Sequence, residues 1–203
     1  EKTALERCLE ALRSSDATVR MAAIAALQGM GEEAVRYLIA ALNDPHHGVR
    51  IAAADGLGEI GDKDAVEALI QVFNDTREDV RIAAARALGR IGDRRSIGPL
   101  INLFADRYHG VRVAAVDATV TFGRSALGPL EEALDEPVPV VRAMAARAIG
   151  LIGVSESVPV LIEHLGDAAP EVRWGVARAL GGFGSLVVDP LFLVLRRGGK
   201  EMR

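Results

Sequence analysis

The sequence predicts an all-α protein built as a stack of helix pairs. Three observations carry this. A Val-Arg pair recurs at Val19-Arg20, Val49-Arg50, Val80-Arg81, Val111-Arg112, Val141-Arg142 and Val172-Arg173, at intervals of 30, 31, 31, 30 and 31 residues. A glycine closes each copy twelve residues after its Val, at Gly31, Gly61, Gly92, Gly123, Gly153 and Gly184. Between these marks the apolar residues follow helical spacing. Self-similarity at such a period means a stacked repeat array, in which each unit buries its apolar face against its neighbours.

Residues 3–14 read as the first helix of the first pair, with Leu5, Leu9 and Leu12 on its apolar face and Cys8 among them. This position in each copy is termed helix A, and the Val-Arg helix that follows is helix B. In the third B helix, Val80, Ala84, Ala87, Leu88 and Ile91 share one face at 100° per residue. In the last, Val172, Val176, Leu180 and Phe183 do the same. The closing glycine suits a left-handed helix end. An Asp precedes each B helix (Asp16, Asp44, Asp75, Asp106, Asp135 and Asp167), and its carboxylate is expected to serve the turn or cap the helix. The later A helices carry patterns such as Val66, Leu69, Ile70, Phe73 and Ile97, Leu100, Ile101, Phe104. Pro99, Pro129, Pro159 and Pro190 sit early in theirs, where a missing N–H costs little.

The pairs fall at about 3–31, 32–61, 62–92, 93–123, 124–153 and 154–184, with a half repeat at 186–197 and a flexible tail at 198–203. This is a single array with no interior linker. The fourth-to-fifth copy is the least regular: Thr119 replaces the usual Leu, and Glu136-Pro137-Val138-Pro139 lengthens the turn. The half repeat is apolar, through Leu191, Phe192 and Leu195, where an array should end in a polar cap. It is read either as a cap in itself or as a sign that the native chain continues. The start at Glu1 rather than Met reads as a fragment or a processed chain.

Composition narrows the classes. Half the residues are apolar, 26% are charged and only 4% are aromatic, so the core should be thin and rich in Ala, Leu and Ile. A net charge of −4 argues against a generic nucleic-acid binder. Cys8 is the only cysteine, which rules out an intrachain disulfide and makes a reducing, cytoplasmic compartment the default. No apolar run is long enough to span a membrane.

The pattern Asp-x-x-x-x-Val-Arg-x-x-Ala-Ala-x-Ala-Leu-Gly-x-Ile-Gly-Asp, followed by Ala-Val-x-x-Leu-Ile, resembles HEAT repeats. In particular it resembles the short HEAT-like type named after phycobilisome lyases. The resemblance covers nearly the whole chain. It implies a right-handed superhelical solenoid of about six helix pairs plus a terminal half repeat, with A helices outside and B helices lining a concave face. Deoxyhypusine hydroxylases share the repeat but hold a di-iron centre through His-Glu dipeptides, and this sequence has none. Phycobilin lyases and isomerases have no short signature to place here, so an accessory bilin lyase or isomerase is the alternative reading.

No catalytic, cofactor or metal residues are assigned. His46 and His47 are adjacent, and on a helix such neighbours point about 100° apart, a poor arrangement for chelation. The Arg series (Arg20, Arg50, Arg81, Arg112, Arg142 and Arg173) is read as structural, bridging to the Asp of a neighbouring turn.

The functional expectation falls on the B-helix positions two, six and ten residues after each Val, which vary from copy to copy while the core positions do not. The first column is apolar: Met21, Ile51, Ile82, Val113, Ala143 and Trp174. The second carries Asp55, Arg86, Asp117, Arg147 and Arg178, and Arg90 belongs to the third. These residues are expected to form a groove for a protein or peptide partner, with Trp174, flanked by Arg147 and Arg178, as its anchor. The competing reading packs the apolar column between adjacent B helices. A nucleic acid on Arg86, Arg90, Arg147 and Arg178 is the least favoured partner.

Overall fold

The computed structural model describes residues 2–192, and the half repeat beyond Phe192, Leu195 included, and the 198–203 tail lie outside them. Among the described residues there are helices, turns and no strands. The A helices are α1 (Ala4–Ala11), α3 (Val35–Ala41), α5 (Val66–Gln71), α7 (Ile97–Asn102), α9 (Leu127–Ala133) and α11 (Val158–Glu163). The B helices are α2 (Ala17–Gln28), α4 (His47–Ile60), α6 (Glu78–Ile91), α8 (His109–Val120), α10 (Pro139–Ile152) and α12 (Pro170–Gly181). Residues 188–192 are again helical. The chain forms two compact units, divided between Thr121 and Phe122.

The B helices bury most of the predicted stripe, although Val19, which opens it on α2, is 40% exposed. Val80, Ala84, Ala87, Leu88 and Ile91 are buried, as are Val172, Val176, Leu180 and Phe183. Among the described residues, the six predicted glycines are the six with positive φ, from 53° at Gly123 to 77° at Gly61. Gly61, Gly92 and Gly153 cap α4, α6 and α10 directly. The other three open the short 3-10 turn before the next A helix.

The A helices are shorter than their apolar patterns imply. Only six to eight residues are α-helical, and most are flanked by 3-10 turns. An isolated helix of that length is unstable in water, so these depend on packing against B. In the first unit α3 meets the 3-10 turn before α5, and α5 the turn before α7. Within each unit consecutive B helices nearly touch backbones. A β-carbon on Gly58 would stand 2.7 Å from Cα of Ala87, and one on Gly89 3.0 Å from Cα of Ala118. In the second unit one on Gly150 would stand 2.7 Å from Cα of Ala179. Glycine and alanine therefore make B a tightly packed layer within each unit.

Four of the six Arg bridge the repeats; among the described residues Arg112 and Arg173 have no Asp partner and hold only their own entry turn. Arg81 donates from Nε and Nη2 to the two carboxylate oxygens of Asp106 at 2.8 and 3.0 Å, and from Nη1 back to the carbonyl of Asp75 at 2.7 Å. Arg20–Asp44, Arg50–Asp75 and Arg142–Asp167 repeat the arrangement with Nε–Oδ2 distances of 2.7, 2.6 and 2.7 Å. Each guanidinium thus ties its own entry turn to the next one, the two-pronged geometry that favours Arg over Lys. Burial alone would raise the Asp106 carboxyl, but Arg81 and the Tyr108 N–H outweigh it and hold the group below the usual range. At Asp167 the Arg142 bond dominates and lowers the carboxyl to about 2.

Of the two expected roles for the preceding Asp, turn and cap, the turn predominates. Only Asp16 is an N-cap, accepting from the Thr18 N–H at 2.8 Å. Asp44, Asp75, Asp106 and Asp167 lie two residues earlier and accept from the N–H of the cap residue itself, at 2.8 to 2.9 Å. The reason is competition: both carboxylate oxygens already face an Arg, and only the turn position reaches both partners. Asp135 does neither and instead meets His164 Nε2 at 3.3 Å. Five residues before Val141 the sequence holds Glu136 where the other rungs hold Asp. Arg112 keeps its bond to the Asp106 carbonyl at 2.7 Å, and its buried Nε has no partner among the described residues. Thr119, buried in place of Leu, satisfies its hydroxyl by donating to the Ala115 carbonyl at 2.8 Å.

Candidate functional site

The variable B positions occupy the open side of the B layer, and the two units build it differently. In the first unit the apolar column is partly covered by the array itself. Met21, Ile51, Ile82 and Val113 are half-buried. The space beside Gly48 is taken by Met21 Sδ, and that beside Gly110 by Ile82 Cδ1. Each therefore packs against the glycine that opens the next B helix. The expected continuous solvent-facing row is replaced by a half-filled seam. The cause is the same small-residue spacing that pulls the B helices together.

The second column of the first unit is charged, and it alternates in sign from helix to helix. Asp55 on α4, Arg86 on α6 and Asp117 on α8 all reach solvent, Asp55 being half-buried. Arg90, one turn along α6, donates to Asp55 at 3.5 Å. That pair is exposed and worth little in stability. Its effect is to neutralise charge across α4 and α6.

In the second unit the face is formed by α10 and α12. Gly150 stands against Ala179 and Gly175 against Ala143, which sets their register. Trp174 therefore sits level with Ala143, Arg178 with Arg147, and Gly182 with Leu151. Ala143 is buried beneath Gly175. Trp174 is 65% exposed and Leu151 54% exposed, unusual values for side chains of that size. The Arg178 guanidinium lies 5.3 Å from the Trp174 ring centroid, a cation–π contact. Among the described residues neither Arg147 nor Arg178 has a carboxylate partner.

A second concavity was not expected from the sequence. A cleft of about 440 Å³ lies between α3 and α5, lined by Ile39, Leu42, Ala68, Val72 and polar neighbours. These A helices are only seven and six residues long, a shortness that apolar periodicity does not reveal. The His46 and His47 rings stack at 4.9 Å between centroids. No group of three or more potential metal ligands occurs among the described residues. Cys8 is half-buried. No helix among the described residues is long and apolar enough to cross a membrane.

The fold and its variable face define a helical-repeat protein of the α-solenoid class. The HEAT repeats family profile matches residues 35–119 and 127–198, and the PBS lyase HEAT-like repeat profile matches 19–44. The chain belongs to the HEAT-repeat family. No curated relative matches the sequence. Among solved structures it is similar to the CpcE–CpcF complex of phycocyanin lyase from Nostoc sp. PCC7120. The match has 26% identity, covers 91% of this chain and 78% of that one, and has a TM-score of 0.58. An engineered protein matches at 21% identity over 91% of this chain and 98% of its own, with a TM-score of 0.51. A designed armadillo repeat protein, solved in complex with the peptide (KR)4, matches at 20% identity over 90% and 100%, with a TM-score of 0.50. The last two share the fold alone.

Proposed function

We propose that this chain is a non-catalytic interaction scaffold of a reducing, cytoplasmic compartment, which binds a protein or peptide partner along its B-helix faces. The observation that carries this reading is a division of labour within each repeat. Core, glycine and Arg positions repeat from copy to copy, while the open B positions change residue type and include an exposed Trp174. Variation where packing makes no demand leaves those residues free to meet another molecule. The mechanism is preorganisation. Residues held by stacked helices lose little freedom on contact, so a short partner segment can bind without the chain ordering itself. The peptide held by the designed armadillo protein supports a solenoid as a peptide receptor.

The test is selection of binding peptides from a displayed library against the immobilised chain. Binders should weaken at least about tenfold with Trp174→Ala or Arg86→Glu. They should be indifferent to Glu67→Lys on helix α5. Binders insensitive to both B-face changes would defeat the proposal. A second reading, an accessory role in bilin attachment or isomerisation, draws support from the similarity to the CpcE–CpcF structure. Incubation with bilin and an apo-phycobiliprotein would give an adduct or a spectral shift if it holds.

A further inference from the structure

Among the described residues neither Arg147 nor Arg178 on the second unit's face has a carboxylate partner, whereas in the first unit an ion pair joins two B helices. Arg147 and Arg178 stand level on adjacent helices, both at the second variable position, so two like charges share a small area. In the first unit the same positions alternate in sign, and Arg90 reaches Asp55. The two cations are bracketed by apolar side chains, Trp174 a turn before Arg178 and Leu151 a turn after Arg147, both more than half exposed. Glu171, a turn before Trp174, ends the basic area on the α12 side.

We propose that the α10–α12 face receives an acidic polypeptide segment that carries apolar anchor residues. This rests on the reading of the B faces as interaction surfaces. A carboxylate between Arg147 and Arg178 would relieve their mutual repulsion and accept planar, two-pronged hydrogen bonds. Leucine or phenylalanine beside it would cover Trp174 and Leu151, removing apolar surface from water. A nucleic acid fits less well. Two cations are few for a polyphosphate, Glu171 would repel it, and Leu151 gives it nothing to bind.

Trp174 is the only tryptophan, so its fluorescence reports on this face alone. The full chain is titrated with a short synthetic peptide alternating Glu and Leu. Parallel titrations use peptides in which Gln or Lys replaces Glu, and a single-stranded oligonucleotide. The acidic peptide is expected to shift Trp174 emission, with affinity that falls as salt rises. It should lose at least about tenfold with Arg147→Gln or Arg178→Gln, each checked for unchanged helix content by circular dichroism. Equal binding by the Gln peptide, tighter binding by the Lys peptide or the oligonucleotide, or no response to the Glu peptide each overturns the proposal. Library binders that depend on the B faces but are not acidic would leave the scaffold reading standing and remove this one.

Discussion

Arg81 is 5% exposed, and its charge is tolerable there only because Asp106 and a backbone carbonyl meet every side of the guanidinium but one. Arg81→Ala strands a buried carboxylate and should cost about 3 kcal/mol, read from urea unfolding. Ser96 is the opposite case. It is fully buried, and its hydroxyl has no partner among the described residues. Three equivalent positions hold Ala34, Ala65 and Ala126, all buried, and a fourth holds Ser157, whose hydroxyl, unlike that of Ser96, donates to Glu131 at 3.3 Å. Ser96→Ala should therefore stabilise the chain by about 1 kcal/mol in the same measurement. Asp167 gives a pH dependence with a definite sign. Its carboxyl is lowered in the folded chain, so the Arg142 rung contributes fully above the ordinary carboxyl value of 3.8 and is lost as pH falls toward about 2. Asp167→Asn should be less stable at neutral pH and should show a shallower loss of stability across that acid window.

Between helices the governing quantity is backbone separation. A methyl on Gly58 would collide with backbone of α6, which cannot yield as a flexible side chain could. Gly58→Ala should cost about 1–3 kcal/mol through overpacking. Gly98, in α7, has nothing within 4 Å of the added carbon. Gly98→Ala should instead gain about 0.5 kcal/mol, because alanine restricts the unfolded chain without strain here. Thermal or urea melts of the two variants should move in opposite directions. Neither position has the left-handed backbone for which Gly61 at φ 77° is the clearest example, so the comparison isolates close approach.

Across the molecule, charge is unevenly placed. The chain carries a net −4, yet the α10–α12 face presents two unneutralised arginines beside the single tryptophan. Local field, rather than net charge, should govern which small ions approach that ring. Iodide should quench Trp174 fluorescence more efficiently than caesium does. Arg147→Glu combined with Arg178→Glu should reverse the order. Equal quenching by the two ions in the wild-type chain would show that the arginines do not set the potential there.

Helix pairing, the core stripe, the six left-handed glycines and the Arg–Asp rungs were all legible in the amino-acid order. Each is a local or one-repeat-away relation that recurs with the period, so repetition makes it visible. Which variable residues stand free was decided only by tertiary structure. Met21 and Ile82 belong to the same column as Trp174, yet they are half-covered because Gly48 and Gly110 draw the next helix over them. The neutral pairing of Arg90 with Asp55, and its absence at Arg147 and Arg178, likewise depends on which helices lie side by side. Sequence periodicity specifies the direction in which a side chain points. How much room remains in front of it is set by backbone spacing between repeats, to within the width of a single methyl group.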